Sequence, residues 1–166
     1  MSILNNRQIN QKVIRLAYEI IEHNSQEKKI YLAGINNNGY AFAKLLLEQI
    51  QSVPGCPLTA ELIQIHLDPA KPTLSDITID MPSGSLKNKN VIVVDDVANT
   101  GRTIFYAFTP FMSLLLKKLQ VAVLVDRKHK NFPINVDYVG LTLATTIEDH
   151  IEVNLTQKDT YSVKLK

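Results

Sequence analysis

A single α/β domain built on a mostly parallel sheet is the fold this sequence predicts, and three observations predict it. Apolar runs of strand length alternate with segments whose apolar residues recur every three or four positions. Two of those runs, "VIVV" at 91–94 and "VAVLV" at 121–125, are apolar at every position, as strands inside a sheet are when helices cover both faces. The 166 residues suffice for one domain with one substantial core, so residues 1–166 are taken as a unit.

Each element has a local reason. In "NRQINQKVIRLAYEIIEHN", Ile9, Val13, Leu16, Ala17, Ile20 and Ile21 fall at helical spacing, with Asn5 or Asn6 as the cap. "KIYLAG" is a short strand ending at Gly34, and "YAFAKLLLEQI" is a helix stopped before Pro54 and Gly55. "LTAELIQIHL" is strand-like, with "DITID" as its hairpin partner across a two-proline loop at 68–75. "NVIVVDD" and "LQVAVLVD" are buried strands. "TIFYAFTPFMSLLL" starts as a helix after Gly101, is interrupted by Pro110, and is apolar nearly all round. Such a helix is either sandwiched in the core or covered by another subunit.

Composition excludes several classes. At 45% hydrophobic and 20% charged the chain is an ordinary globular protein, and a net charge of +2 gives no argument for nucleic acid or membrane. The one cysteine, Cys56, excludes an internal disulfide and a multi-cysteine zinc site, and reads as an inert loop thiol. No apolar stretch approaches the roughly 20 residues that span a bilayer, and the N-terminus lacks the pattern of a signal peptide. A cytoplasmic location is expected.

The chemistry concentrates in "VIVVDDVANTGRT", residues 91–103. Adjacent carboxylates repel and each needs solvent or a partner, so Asp95 and Asp96 at a strand end point to a ligand. In open parallel sheets ligands sit outside the carboxyl ends of the strands. The turn that follows, Val97 to Thr103, offers Gly101 for close approach, the Thr100 and Thr103 hydroxyls, Arg102, and successive backbone amides at a helix start. A loop that wants phosphate beside acids that want hydroxyls or a cation suits a ribose 5-phosphate. The bland alternative, incidental acids before a capped helix, would suffice for the acid pair alone but does not explain the phosphate turn in the correct order. A phosphorylation receiver domain also ends a strand in paired acids, but on its first strand.

That stretch resembles the phosphoribosyl pyrophosphate (PRPP) signature of the type I phosphoribosyltransferases: four apolar residues, two acids, a hydrophobic pair, then a Thr-Gly turn and Thr. "VAVLVDRKHKNFPINVDYVG" at 121–140, the opening helix with "YEIIEHN", and "LAGINNNG" further resemble the pyrimidine-operon regulator/uracil phosphoribosyltransferase family, over nearly the whole chain. The resemblance implies the type I phosphoribosyltransferase fold with a small hood. It implies transfer of 5-phosphoribosyl from PRPP to a nucleobase, uracil by similarity, with loss of pyrophosphate. Asp95 and Asp96 would bind the ribose hydroxyls directly or through the magnesium ion that accompanies PRPP, with no metal bound by the protein alone. Val97, Ala98, Asn99, Thr100, Gly101, Arg102 and Thr103 would bind PRPP, Asn99 to Thr103 holding its 5-phosphate. Ile35, Asn36, Asn37, Asn38 and Gly39 would form the pyrophosphate loop, and Arg127, Lys130 and Val139 the base pocket. Purine-type members place an aspartate base partner where this chain has Asn99, which argues against hypoxanthine or guanine.

Two departures bear on turnover. Uracil-type relatives carry Lys-Thr-Arg where Asn36, Asn37 and Asn38 stand here, and they place an arginine on the mobile loop over the pyrophosphate. The chain's four arginines are Arg7, Arg15, Arg102 and Arg127, so neither loop has one. Lys71 is the substitute expected to assist catalysis from the mobile loop, with His66 a second candidate. His23, His129 and His150 read as solvated polar positions. The resemblance brings a second class of function, a catalytically weak regulator that senses PRPP or a nucleotide and binds messenger RNA. Lys12, Arg15, Lys28 and Lys29 would supply its surface, against which stand the near-neutral charge and the absence of an arginine cluster. A homodimer or higher homo-oligomer is expected.

Overall fold

The computed structural model describes all 166 residues. Strand β1 (Ser2–Leu4) leads into helix α1 (Asn6–His23), whose cap is Asn5. The Asn5 side chain accepts from the Gln8 amide at 3.0 Å while Gln8 Oε1 accepts from the Asn5 amide at 2.9 Å, a reciprocal box that satisfies two otherwise orphaned donors. Then follow β2 (Lys29–Ile35), α2 (Asn36–Ser52), β3 (Thr59–His66), β4 (Thr78–Ile79), a 3₁₀ turn at Ser83–Leu86, and β5 (Asn90–Ala98). The chain closes with α3 (Arg102–Ala107), α4 (Thr109–Met112), β6 (Lys118–Arg127), β7 (Tyr138–Leu143), β8 (Ile151–Asn154) and β9 (Ser162–Leu165).

Six strands form the main sheet in the order β4-β3-β2-β5-β6-β7, all parallel except β4. The hairpin read from the sequence is present, with Ile65 opposite Ile79 and His66 opposite Thr78. The hood is a separate antiparallel sheet, β1-β9-β8, built from the two ends of the chain. The sequence reading assigned no strands there.

The sheet divides the core in two. A cluster of 23 buried residues lies where Ile9, Leu16 and Ile20 of α1 and Phe42, Leu46 and Ile50 of α2 meet Ile92 and Val94; the opposite cluster has 15, centred on Val91, Val93, Val121, Val123, Ile104 and Phe111. The smaller cluster reflects what covers it. Two short helices, α3 and α4, break at Phe108, and Pro110 enters in the first turn of α4, where its missing N–H leaves no bond unmade. Ile104, Ala107 and Phe111 turn inward, while Phe105, Met112 and Leu115 are exposed. Of the two expected ways to cover this apolar segment, the single chain realises neither on its outer face.

Three local features differ from expectation and shape the site. β5 does not stop at the acids but runs on to Ala98. The "NNN" stretch is not a loop: α2 begins at Asn36 directly after β2, Asn36 taking a left-handed φ of 50° that asparagine tolerates. Gly39 then lets α2 lie against β5, since a Cβ there would stand 2.5 Å from the Val94 carbonyl oxygen. Gly39→Ala is expected to lower stability by about 1–3 kcal/mol, as overpacking does, whereas Gly84→Ala, with nothing within 4 Å, should leave the urea midpoint unchanged.

Candidate functional site

Sheet register creates the cleft. β2 is paired with β5 only from Tyr31–Val91 to Gly34–Val94, whereas β6 follows β5 up to Ala98–Asp126. From Asp95 onward one edge of the central strand has no neighbour. The amides freed there bond to the acids themselves: Asp96 N–H donates to Asp95 Oδ1 at 2.9 Å and Val97 N–H to Asp96 Oδ1 at 2.8 Å. Each carboxylate keeps its second oxygen for another partner.

Both acids sit at a cost. Burial, then the charge of Asp96, pushes the Asp95 pKa well above its ordinary value of 3.8. Burial also raises Asp96, opposed by hydrogen bonds from its neighbours, the Asn38 amide among them. No group of three or more His, Cys, Asp or Glu side chains gathers anywhere to hold a metal unaided. Two adjacent carboxylates that gain from a nearby cation, without a complete ligand set, suit a magnesium ion whose remaining ligands are substrate oxygens and water.

The acids line a cleft of about 580 Å³. Ile35 and Asn36–Asn38 form one wall, Val97, Asn99 and Thr103 the floor, Pro69 the rim, and His150 to Val153 of the hood the opposite wall. The first turn of α2 therefore faces the cleft. No side chain caps it, and its free amides and helix dipole favour an anion there. Asn36 is committed elsewhere: its Nδ2 donates to the Leu67 carbonyl at 2.9 Å and its Oδ1 accepts from the Leu67 amide at 3.1 Å. It anchors the root of the 68–75 loop, so its expected contact with pyrophosphate falls to backbone amides.

Residues Val97 to Ile104 enclose a small hollow of about 40 Å³, on the scale of a phosphate oxygen cluster rather than of a whole nucleotide. Gly101 holds a φ of 86°, and a Cβ on it would meet Ile134 at 2.7 Å. The Thr100 carbonyl accepts from the amides of Asn131 and Phe132 at 2.9 and 3.2 Å, so the turn is pinned by the chain after β6. The Arg102 guanidinium donates to the Pro69 carbonyl at 2.9 Å, tying the phosphate turn to the 68–75 loop.

A third cavity, about 280 Å³, lies between Asn99, Thr100, Arg127–Asn131 and Ile147. Arg127 and Lys130, the residues expected in a base pocket, both line it and both are tethered. Arg127 is buried, donating to Thr145 Oγ1 at 2.7 Å, Asn99 Oδ1 at 3.1 Å and the Thr146 carbonyl at 2.6 Å. Lys130 pairs with Asp126 at 2.6 Å and reaches the Asn99 carbonyl at 3.1 Å. Val139 is not near either cavity. It pairs with Val123, three positions before the Asp126–Thr142 level, and its carbonyl accepts from Arg15 at 3.0 Å. At about 3.3 Å per residue this leaves it roughly 10 Å below the strand ends. Lys71 is exposed on the 68–75 loop and does not line the cleft, although Pro69 two positions earlier does. His150 is exposed, as a solvated position is, and also lines the cleft; the four-residue strand that places it is too short to show a period in the sequence.

With this geometry in place, comparison is informative. Residues 1–158 match the phosphoribosyl transferase domain family. The chain belongs to this family. Among curated relatives, the bifunctional protein PyrR of Clostridium botulinum is 36% identical over 166 residues, covering 95% of this chain and 91% of the relative, and that of Bacillus pumilus is 35% identical over 165 residues with the same coverage. Of solved structures, the hypoxanthine phosphoribosyltransferase of Trypanosoma cruzi superposes with a TM-score of 0.77 at 16% identity, covering 99% of this chain and 94% of that one. A hypoxanthine-guanine phosphoribosyltransferase from Bacillus anthracis gives 0.76 at 21%, covering 99% and 96%. At those identities the structures speak for the phosphoribosyltransferase fold alone.

The acid pair ties stability to pH. In the unfolded chain Asp95 loses its proton near 3.8, whereas in the fold it retains it to higher pH. Its contribution is therefore full below the unfolded value and is lost as pH rises through the raised folded value. Asp95→Asn, which keeps an oxygen for the Asp96 amide, is expected to be more stable than the parent at neutral pH and to lose that advantage on acidification. Urea unfolding between about pH 4 and pH 8 measures this, and a parent that grows more stable relative to the variant as pH rises would contradict it.

Proposed function

We propose that this phosphoribosyltransferase transfers 5-phosphoribosyl from PRPP to uracil, releasing pyrophosphate. The observation that carries the reading is a pair of adjoining cavities, the hollow of the phosphate turn and the cleft that holds the two acids and the uncapped start of α2, which share Val97, Asn99 and Thr103. Its three stations match the three parts of PRPP in order. The 5-phosphate takes the backbone hollow at 97–104, the ribose diol takes Asp95 and Asp96, and the pyrophosphate takes the first turn of α2. Magnesium, bound with PRPP by the acid pair, would offset charge on the leaving pyrophosphate.

The base enters between Asn99, Lys130 and Ile147, where backbone amides and carbonyls of 128–131 can read its edge. The Asn99 Oδ1 is held by Arg127, and an amide is no proton acceptor, which favours a pyrimidine over a purine. Departure of pyrophosphate leaves an oxocarbenium-like ribose, so the protein's part is positioning and charge stabilisation. Lys71 would join only when the 68–75 loop folds inward. The cytoplasm is the expected site of action, in nucleotide salvage; no helix is long and apolar enough to cross a membrane. The exposed Phe105, Met112 and Leu115 support association of the chain with copies of itself.

A second reading has its own support. The relatives are named bifunctional, and the cleft lacks arginine, which fits a protein that binds PRPP and nucleotides as a sensor with slow turnover. RNA as its partner gains less. Arg15 is engaged by Glu19 and by the Val139 and Gly140 carbonyls, and Lys29 by Glu61, so half of the expected basic surface is already neutralised or tethered.

Labelled PRPP with magnesium and each common base in turn decides between them. Uracil-dependent release of pyrophosphate is expected, with Lys71→Ala lowering kcat by about ten- to a hundredfold, the range for loss of a charge acting on the transition state. Binding of PRPP without turnover would establish the sensor, and turnover with hypoxanthine in preference to uracil would overturn the base assignment.

A further inference from the structure

The cleft that receives the pyrophosphate presents a charge problem. Its lining carries three carboxylates, Asp95, Asp96 and Glu152, and only one side chain with a basic nitrogen, His150. Glu152 is paired with Lys166 at 2.5 Å. The remaining candidate cations are elsewhere: Arg127 is bonded to Thr145, Thr146 and Asn99, Arg102 to Pro69, and Lys71 is exposed outside the lining.

His150 is also firmly placed. Its amide donates to the Lys166 carbonyl at 3.1 Å and its carbonyl accepts from the Lys166 amide at 2.8 Å, fixing the backbone where β8 begins. The hood thus places His150 in the lining of the same cleft as Asn36–Asn38 and the acid pair.

We propose that His150 is a pyrophosphate-positioning residue of this enzyme, meeting from the hood side the group that α2 amides meet from below. The inference rests on the reading of the cleft as the PRPP site. It takes over part of the work that a loop arginine would do. A charged imidazole donates hydrogen bonds from both nitrogens, and charge-assisted bonds to phosphate oxygens are the stronger kind. The phosphate hollow at 97–104 does not include His150, so ligands lacking pyrophosphate should be indifferent to it.

Titration calorimetry of the full-length protein tests this with three probes in the presence of magnesium: PRPP, inorganic pyrophosphate and uridine monophosphate. His150→Ala is expected to weaken PRPP and pyrophosphate by about three- to fivefold, as loss of an exposed charge contact does, and to leave the monophosphate within twofold. His150→Lys should restore pyrophosphate affinity. Equal affinity for pyrophosphate in the parent and His150→Ala overturns the proposal, as does parallel weakening of all three ligands or failure of His150→Lys to rescue. A parent protein that binds neither PRPP nor the monophosphate overturns the PRPP reading itself, an outcome distinct from a parent that binds both while the variant does no worse.

Discussion

Two like charges held in a dry place are the constraint on which this structure turns. Asp95 and Asp96 occupy the most enclosed strand of the sheet, preceded by four residues, Val91 to Val94, that are at most 1% exposed. Nothing about packing favours acids there, and burial raises both pKa values. The fold tolerates them because the ladder with β2 ends one residue earlier, so the carboxylates can take up the amides that pairing no longer uses. The surrounding apolar packing supplies the stability that these residues subtract.

The rest of the cleft is arranged by ties between segments distant in sequence. Arg127 joins the end of β6 to the 145–146 loop and to Asn99, so three segments distant in sequence are tied together beside the phosphate turn. Asn131 and Phe132 fasten the same turn from below. The 68–75 loop is held at its root by Asn36 and near its start by Arg102. Lys71 lies just beyond the second tie. The loop is therefore fixed at its base, and beyond it Lys71 is exposed, its amide bonded to the Asp68 carbonyl at 3.2 Å.

How much of this could be read in advance depends on the range of each interaction. Buried strands and the two long helices write their periodicity into contiguous residues, and so did the phosphate turn, whose function lies in its own backbone. The hood strands did not, because three or four residues are too few to show a period. "NNNG" looked like a loop since asparagine is a poor helix former, yet packing of Gly39 on β5 draws the helix start back to Asn36. Resemblance locates the segment that holds Val139, and only register tells which end of the strand the residue occupies. Arg127 looked like a ligand and is largely a brace, for its partners stand 18 to 28 residues away.

The scarcity of arginine then has a structural meaning. Of four, Arg15 is bonded to the carbonyls of β7, Arg102 to the mobile loop, Arg127 to three groups around the base cavity, and Arg7 is exposed on α1. Three are spent on scaffold contacts that would be lost if they turned to substrate. For the proposed pyrophosphate site there remain backbone amides, a helix end and the His150 imidazole, with any metal brought in by the substrate. Amides and dipoles bind an anion without the long-range pull of a guanidinium. Under the proposed reading, recognition rests on close fit once PRPP and its metal are seated, and the metal carries the charge compensation that the side chains of the cleft do not supply.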